Sequence, residues 1–251
     1  MMLADMTIRD GCATITLNRP DRHNVIEAAD LPALGELLDA AEANTDLRTL
    51  VLTAAGNKTF SAGFDISDIE STDWTHNPLE VVVDRLEQFA LPTVCALNGN
   101  VFGGGTDLAL ACDFRIGVRG MRLRVPAVKL GVFYYINGLK RFVERLGPGA
   151  ARRIFLLGEE LADTELLACG YLDRLVPHRE LEQTTAGIVD CLRDAAPLAI
   201  RGMKRAILDL SRGCLNEDTA RRDVVACFAS EDAMEGARAF AEKRAPEFKG
   251  L

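Results

Sequence analysis

Short apolar runs of β-branched and aliphatic residues recur along this chain, separated by stretches with helical spacing. The runs are CATITL (12–17), TLVLTA (49–54), TVCAL (93–97), FRIGV (114–118) and LDRLV (172–176), and each reads as a mostly buried strand. Between them Leu31, Leu34, Leu37, Leu38 and Ala41, and again Leu79, Val82, Leu86 and Phe89, recur at spacings of three and four, which predicts amphipathic helices. Strand and helix alternate, so the pattern favours an α/β fold with largely parallel pairing. GLKRFVERLG (138–147) puts Leu139, Phe142, Val143 and Leu146 on one face and is expected to stop at Gly147. Past about residue 178 the strand signals cease. The remainder reads as helices separated at Pro197 and Gly213. This divides the chain into an α/β core over 1–195 and a helical region over 196–251, with no low-complexity linker between them.

Composition removes several function classes. Hydrophobic residues at 48% and charged residues at 26% are ordinary for a compact globular protein, and 251 residues suffice for a sizeable core. A formal charge of -8 disfavours general attraction to nucleic acid or to an anionic membrane, so neither is an expected partner and any anionic ligand must be captured locally. The cysteines at 12, 95, 112, 169, 191, 214 and 227 are odd in number and contain no Cys-x-x-Cys pair. That spacing argues against a disulfide framework or a zinc site and leaves them as small buried hydrophobes of a reducing compartment. The opening residues carry acids and no apolar run suited to a signal peptide, and no uncharged apolar stretch approaches about 18 residues. A cytoplasmic location is expected.

Two segments share one plan of strand, small-residue turn and helix start: TLVLTAAGNKTFSAGFDISDIE (49–70) and TVCALNGNVFGGGTDLALACD (93–113). Each turn exposes peptide N–H groups near a helix N-terminus, a setting that favours negative charge. No Gly-Lys-Ser/Thr follows the glycines, and Gly99, Gly103, Gly104 and Gly105 lack the G-x-G-x-x-G spacing, so neither nucleotide motif fits. Ser61 has Thr59 two positions before it, where a nucleophile elbow needs glycine. The histidines (His23, His76, His178) are scattered and suggest neither a metal site nor a triad. What remains is a transient anion, an oxyanion growing on a carbonyl, which needs two converging N–H donors in a dry setting. A glycine cluster alone points first to close helix–strand packing.

FSAGFDI and NGNVFGGGTDLALACD, with NRPDRHNVI upstream and AFAEKRAPEFKG at the C-terminus, resemble the enoyl-CoA hydratase/isomerase (crotonase) superfamily in order and register over nearly the whole chain. The resemblance implies a crotonase-like spiral of ββα units. It also implies a helical C-terminal region that packs across subunits in a homotrimer or a dimer of trimers. The implied chemistry is that of acyl-CoA thioesters, as in fatty acid metabolism. No prosthetic group is implied, and coenzyme A enters only as part of the substrate. At the family's donor positions stand Phe64, which follows Ala62-Gly63, and Gly104, whose N–H groups would hold the thioester oxygen as it becomes an enolate. Each such donor is worth roughly 3–4 kcal/mol of barrier. The same resemblance puts Ala62, Phe64 and Ile66 beside adenine and pantetheine, Arg22 near phosphate, and Phe240 and Lys243 over the nucleotide, often from a neighbouring subunit.

Hydratases of the superfamily use two carboxylates, one three residues after the oxyanion glycine and one following a later proline. Asp107 fills the first position, but the residue after Pro126 is Ala127, which has no proton to give or take. Syn addition of water needs both a base and an acid, so this departure weighs against simple two-carboxylate hydration. Decarboxylating members place a tyrosine where Tyr134 stands. The expectation is hydratase/isomerase-type chemistry with Asp107 as acid/base. Decarboxylation of a malonyl-type thioester using Tyr134, thioester hydrolysis, and acyl-CoA binding without turnover are the alternatives.

Overall fold

The computed structural model describes residues 3–65, 67 and 74–250. An antiparallel hairpin opens the chain, β1 (Ala4–Arg9) and β2 (Cys12–Leu17), turning at Asp10 and Gly11, both with positive φ (48° and 72°). Next come α1 (Leu31–Glu42), β3 (Thr49–Ala54), β4 (Thr59–Ser61), α2 (Pro78–Glu87), β5 (Thr93–Leu97), β6 (Asn100–Phe102), α3 (Gly104–Leu110), β7 (Phe114–Val118) and β8 (Arg122–Arg124). After α4 (Ile136–Leu156), β9 (Leu161–Ala162), α5 (Asp163–Ala168) and β10 (Arg174–Val176), the chain is helical: α6 (Leu181–Arg193), α7 (Pro197–Ser211), α8 (Glu217–Phe228) and α9 (Glu231–Glu242).

The main sheet has the order β1-β2-β3-β5-β7-β10, parallel from β2 onward. Strands β3 and β5 are buried almost throughout, as continuous apolar runs in a covered parallel sheet should be. Strands β2, β3, β5 and β7 match the expected runs residue for residue, and β10 takes the end of LDRLV. A second sheet, ordered β4-β6-β8-β9, was not anticipated, because strands of two or three residues carry no periodicity. Helices α1 and α2 bury Leu31, Leu34, Leu38 and Ala41, and Leu79, Val82 and Leu86, as their spacing requires.

Three expectations need correction. Helical geometry breaks at Gly147 (φ 76°, ψ 162°), but Pro148 at once starts a further helical stretch, so the expected stop is a kink inside α4. The buried face of α4 includes Gly138, Arg141 and Phe142, whereas Val143 is 44% exposed. The face is turned because Arg141 is drawn inward by carboxylates described below. Cys95 and Cys112 are buried, but Cys191 in α6 and Cys214 after α7 are exposed.

The C-terminal residues fold back on α9. Asp232 accepts from the Lys249 and Gly250 N–H groups, and Glu235 accepts from Arg238, Arg244 and the Glu247 N–H. The bonds from Arg244, Arg238 and Glu247 hold Glu235 well below its ordinary carboxylate value of 4.5. A depressed folded pKa contributes stability that is present above 4.5 and lost as pH falls through the folded value. Glu235→Gln should therefore weaken hydrogen-exchange protection of the Glu247 N–H at neutral pH, whereas the wild type should lose it only in acid.

Candidate active site

Strands β4 and β6 pair in parallel, Thr59 with Asn100 and Ser61 with Val101, so the loops that leave them emerge side by side. Residues 23–26 clamp the first loop. Ala62 N–H donates to His23 O (2.8 Å), Ile26 N–H to Gly63 O (2.8 Å) and Asp65 N–H to Ile26 O (2.8 Å). Phe64 is thereby the paired residue of a parallel bridge with Ile26, and its own N–H faces the opposite way. Asn24, fully buried at φ 51°, donates to Ala55 O and Thr59 O, while the Ser61 hydroxyl donates to Asn24 O and accepts the Gly63 N–H.

In the second loop Gly103 (φ 50°, ψ −130°) donates to Arg124 O and turns the chain into α3, whose first N–H groups lack intrahelical partners. The two loops touch at Gly63 (φ 87°), where a Cβ would lie 2.6 Å from Phe102 O and 2.8 Å from Gly104 N. Only glycine allows that approach. A Cβ on Gly104 would in turn lie 3.6 Å from Phe64 N, so the two amides are neighbours. Among the described residues neither the Phe64 nor the Gly104 N–H has a protein acceptor. Both residues line a cavity of about 530 Å³ walled by side chains such as Leu79, Val125, Leu130 and Phe133. Two unpartnered N–H groups on a largely apolar hollow can stabilise an oxyanion.

Asp107 lies one helical turn beyond Gly104, is 0% exposed, and is absent from the cavity wall. Its Oδ2 accepts from the Tyr135 hydroxyl (2.6 Å) and from Arg141 Nη1 (2.5 Å), while Oδ1 has no partner among the described residues. Burial raises the Asp107 carboxyl above its ordinary value, against the opposing pull of Arg141 and Tyr135. Arg141, itself 1% exposed, also donates to Asp84 (2.7 Å), and its Nε lies 2.9 Å from Glu87 Oε1. Burial opposes its charge, but Asp107 and Glu87 outweigh that and keep the guanidinium protonated. Asn137 holds Asp84, and Arg212 at the end of α7 pairs with Glu87. A Cβ at Gly138 would strike the Tyr134 and Tyr135 rings at 2.6 and 2.7 Å, so this glycine lets the tyrosines pack over α4.

The structure gathers Ala62, Phe64, Gly104, Ala127 and Tyr134 on one cavity, with Asp107 behind Tyr135. Tyr134 stacks on Tyr135 (ring centroids 4.5 Å, planes 19° apart), and its buried hydroxyl has no partner among the described residues. Burial and the Asp107 charge push its phenol upward. Phe64 meets Trp74 edge-on at 5.7 Å. Arg22 is 54% exposed and pairs with Glu27 and with Asp65, one residue beyond Phe64. Phe240 and Lys243 lie at the end of α9, away from the cavity wall; Phe240 is 87% exposed. Ile66 falls outside the described residues. Asp113 bonds Thr93 and Lys204, a structural tie between the sheet and α7. No cluster of metal-ligating side chains occurs among the described residues. Tyr135 and Arg141 were not singled out from sequence; the available signal was an arginine on the otherwise apolar side of an amphipathic helix, which calls for a buried carboxylate.

Residues 7–251 match the model of the family described as enoyl-CoA hydratase/isomerase. The chain is 32% identical over 246 residues to carnitinyl-CoA dehydratase of Salmonella typhi, covering 94% of each protein. It is 29% identical over 242 residues to short-chain-enoyl-CoA hydratase of Clostridium acetobutylicum, covering 92% of each. Among solved structures, the enoyl-CoA hydratase from Bacillus anthracis superimposes over all of both chains with a TM-score of 0.89 at 28% identity. An enoyl-CoA hydratase/carnithine racemase from Magnetospirillum magneticum gives 0.92 at 26% identity, over 100% of this chain and 97% of that one.

Proposed function

The chain belongs to the enoyl-CoA hydratase/isomerase family and is an acyl-CoA-processing enzyme of that type, and on this premise we propose that it works through a thioester enolate held between the Phe64 and Gly104 N–H groups. Asp107 is the acid/base of the reaction. The observation that carries this reading is the pair of neighbouring amides without protein acceptors on the wall of an apolar cavity. Two such donors, each worth roughly 3–4 kcal/mol, act where charge develops and leave little for a strong base to do. The adenine and phosphates would lie along Ala62, Phe64, Ile66 and Arg22. The exposed apolar residues of the helical region, Ile207, Phe228 and Phe240 among them, support reading residues 196–251 as an oligomerisation region that brings Phe240 and Lys243 to a neighbour's nucleotide.

Ala127 lies on the cavity wall where a second carboxylate would be needed, which favours double-bond migration over hydration. A second reading, decarboxylation of a malonyl-type thioester, is favoured by Tyr134, which lines the same wall and whose buried hydroxyl has no hydrogen-bond partner among the described residues. A mass-spectrometric screen with crotonyl-CoA, a 3-enoyl-CoA and methylmalonyl-CoA separates them. Turnover of the 3-enoyl-CoA, abolished in Asp107→Asn, is the expected result; silence on all three would remove the reading. Because burial raises Asp107 above 3.8, its ionised form is lost as pH falls through a value higher than that. The acid limb of the wild-type kcat/KM should accordingly lie above the ordinary aspartate range, as a pH–rate profile on the accepted thioester would show.

A further inference from the structure

Asp107 faces a problem of access. The carboxylate is wholly buried and off the cavity wall, whereas Tyr135 is on the wall and donates its hydroxyl to Asp107 Oδ2 at 2.6 Å. Resting on the enolate reading above, we propose that the Tyr135 hydroxyl is the group that exchanges protons with the bound thioester, relaying them to and from Asp107, with Arg141 as the residue that positions the carboxylate.

The step balances without a free phenolate. The bond between the α-carbon and its hydrogen breaks, and that proton goes to the Tyr135 oxygen as the phenol's own proton passes to Asp107 Oδ2. The electron pair moves onto the thioester oxygen between the Phe64 and Gly104 N–H groups. In the return step the Asp107 proton goes back through Tyr135 to the α- or γ-carbon. Burial and the adjacent Asp107 charge push the Tyr135 phenol well above its ordinary value, so the two transfers are concerted and the ring stays neutral throughout. Arg141 makes the arrangement durable. When Asp107 takes the proton, the guanidinium retains Asp84 and Glu87 as counter-charges and has no cause to leave its place. Tyr134 stacks flat on the Tyr135 ring, with centroids 4.5 Å apart, and restricts its rotation. The Tyr134 hydroxyl, by contrast, has no carboxylate to pass a proton to among the described residues.

The test is α-proton exchange of butyryl-CoA in D2O, followed by mass spectrometry for wild type, Tyr135→Phe and Asp107→Asn, with the butyryl-CoA Kd of each. Tyr135→Phe should lose exchange by about 100-fold or more, as Asp107→Asn does, the range expected for removing a positioned acid/base group. Its Kd should stay within about 3-fold of wild type, since a group used only in the transition state adds little to ground-state binding. Exchange by Tyr135→Phe near the wild-type rate, with Asp107→Asn inactive, would overturn the relay and leave Asp107 acting directly. Wild-type protein that binds butyryl-CoA yet exchanges nothing would overturn the enolate reading and the relay with it.

Discussion

Gly63→Ala is expected to lower kcat on an accepted CoA thioester by about 100-fold or more, the loss that follows removal of one well-aimed oxyanion donor. The side chain would not touch the acyl group. Its Cβ would lie 2.6 Å from Phe102 O and 2.8 Å from Gly104 N, so the two loops must part and the Phe64 and Gly104 amides must diverge. Gly63 also sits at φ 87°, where an alanine costs about 1–3 kcal/mol of strain. Gly120→Ala separates the two effects, because Gly120 has a similar φ of 82° and nothing within 4 Å of its Cβ position. That variant should lose only the part of the stability that comes from the φ strain and keep its activity. Steady-state kinetics beside thermal unfolding of both proteins checks the pair.

Arg141→Met is expected to destabilise the fold by about 3–5 kcal/mol, the cost of leaving buried charge uncompensated. Glu87 would still have Arg212, and Asp84 would still have Asn137. Asp107 would retain only the Tyr135 hydroxyl while 0% exposed. The sign of the pH dependence follows. A carboxyl whose folded pKa is raised prefers its neutral form in the fold, so its contribution is most favourable below the unfolded value of 3.8 and is lost as pH rises through the folded value. Removing Arg141 raises that folded value further, and the deficit of the variant should be larger at pH 8 than at pH 5. Arg205→Met, which breaks the exposed pair with Asp223, should cost under about 1 kcal/mol. Urea unfolding at both pH values measures all of this.

How much was legible in the sequence depended on how local the cause was. Buried parallel strands are continuous apolar runs, so β2, β3, β5 and β7 could be read to the residue. The glycine loops were legible for the same reason, since a turn against bare backbone must be written in consecutive residues. The surroundings of Asp107 were not. Tyr135 and Arg141 stand 28 and 34 residues away, and both lie at or near the start of α4. Helical periodicity favoured Val143 for the inner face, and tertiary charge pairing turned Arg141 inward instead. The choice between neighbouring tyrosines belongs to the same class: whether Tyr134 or Tyr135 reaches the carboxylate is decided by packing across Gly138, which adjacency in sequence does not encode.

A thioester enolate held between the Phe64 and Gly104 amides is the species on which the proposed chemistry depends. The most direct test is to incubate the wild-type protein with a saturated acyl-CoA in D2O and follow deuterium at the α-carbon, beside Gly63→Ala. Enzyme-dependent incorporation that falls by about 100-fold in the variant is the expected result. Binding of the thioester with no incorporation above the uncatalysed rate would contradict it, and would leave the cavity as a site that holds acyl-CoA without activating it.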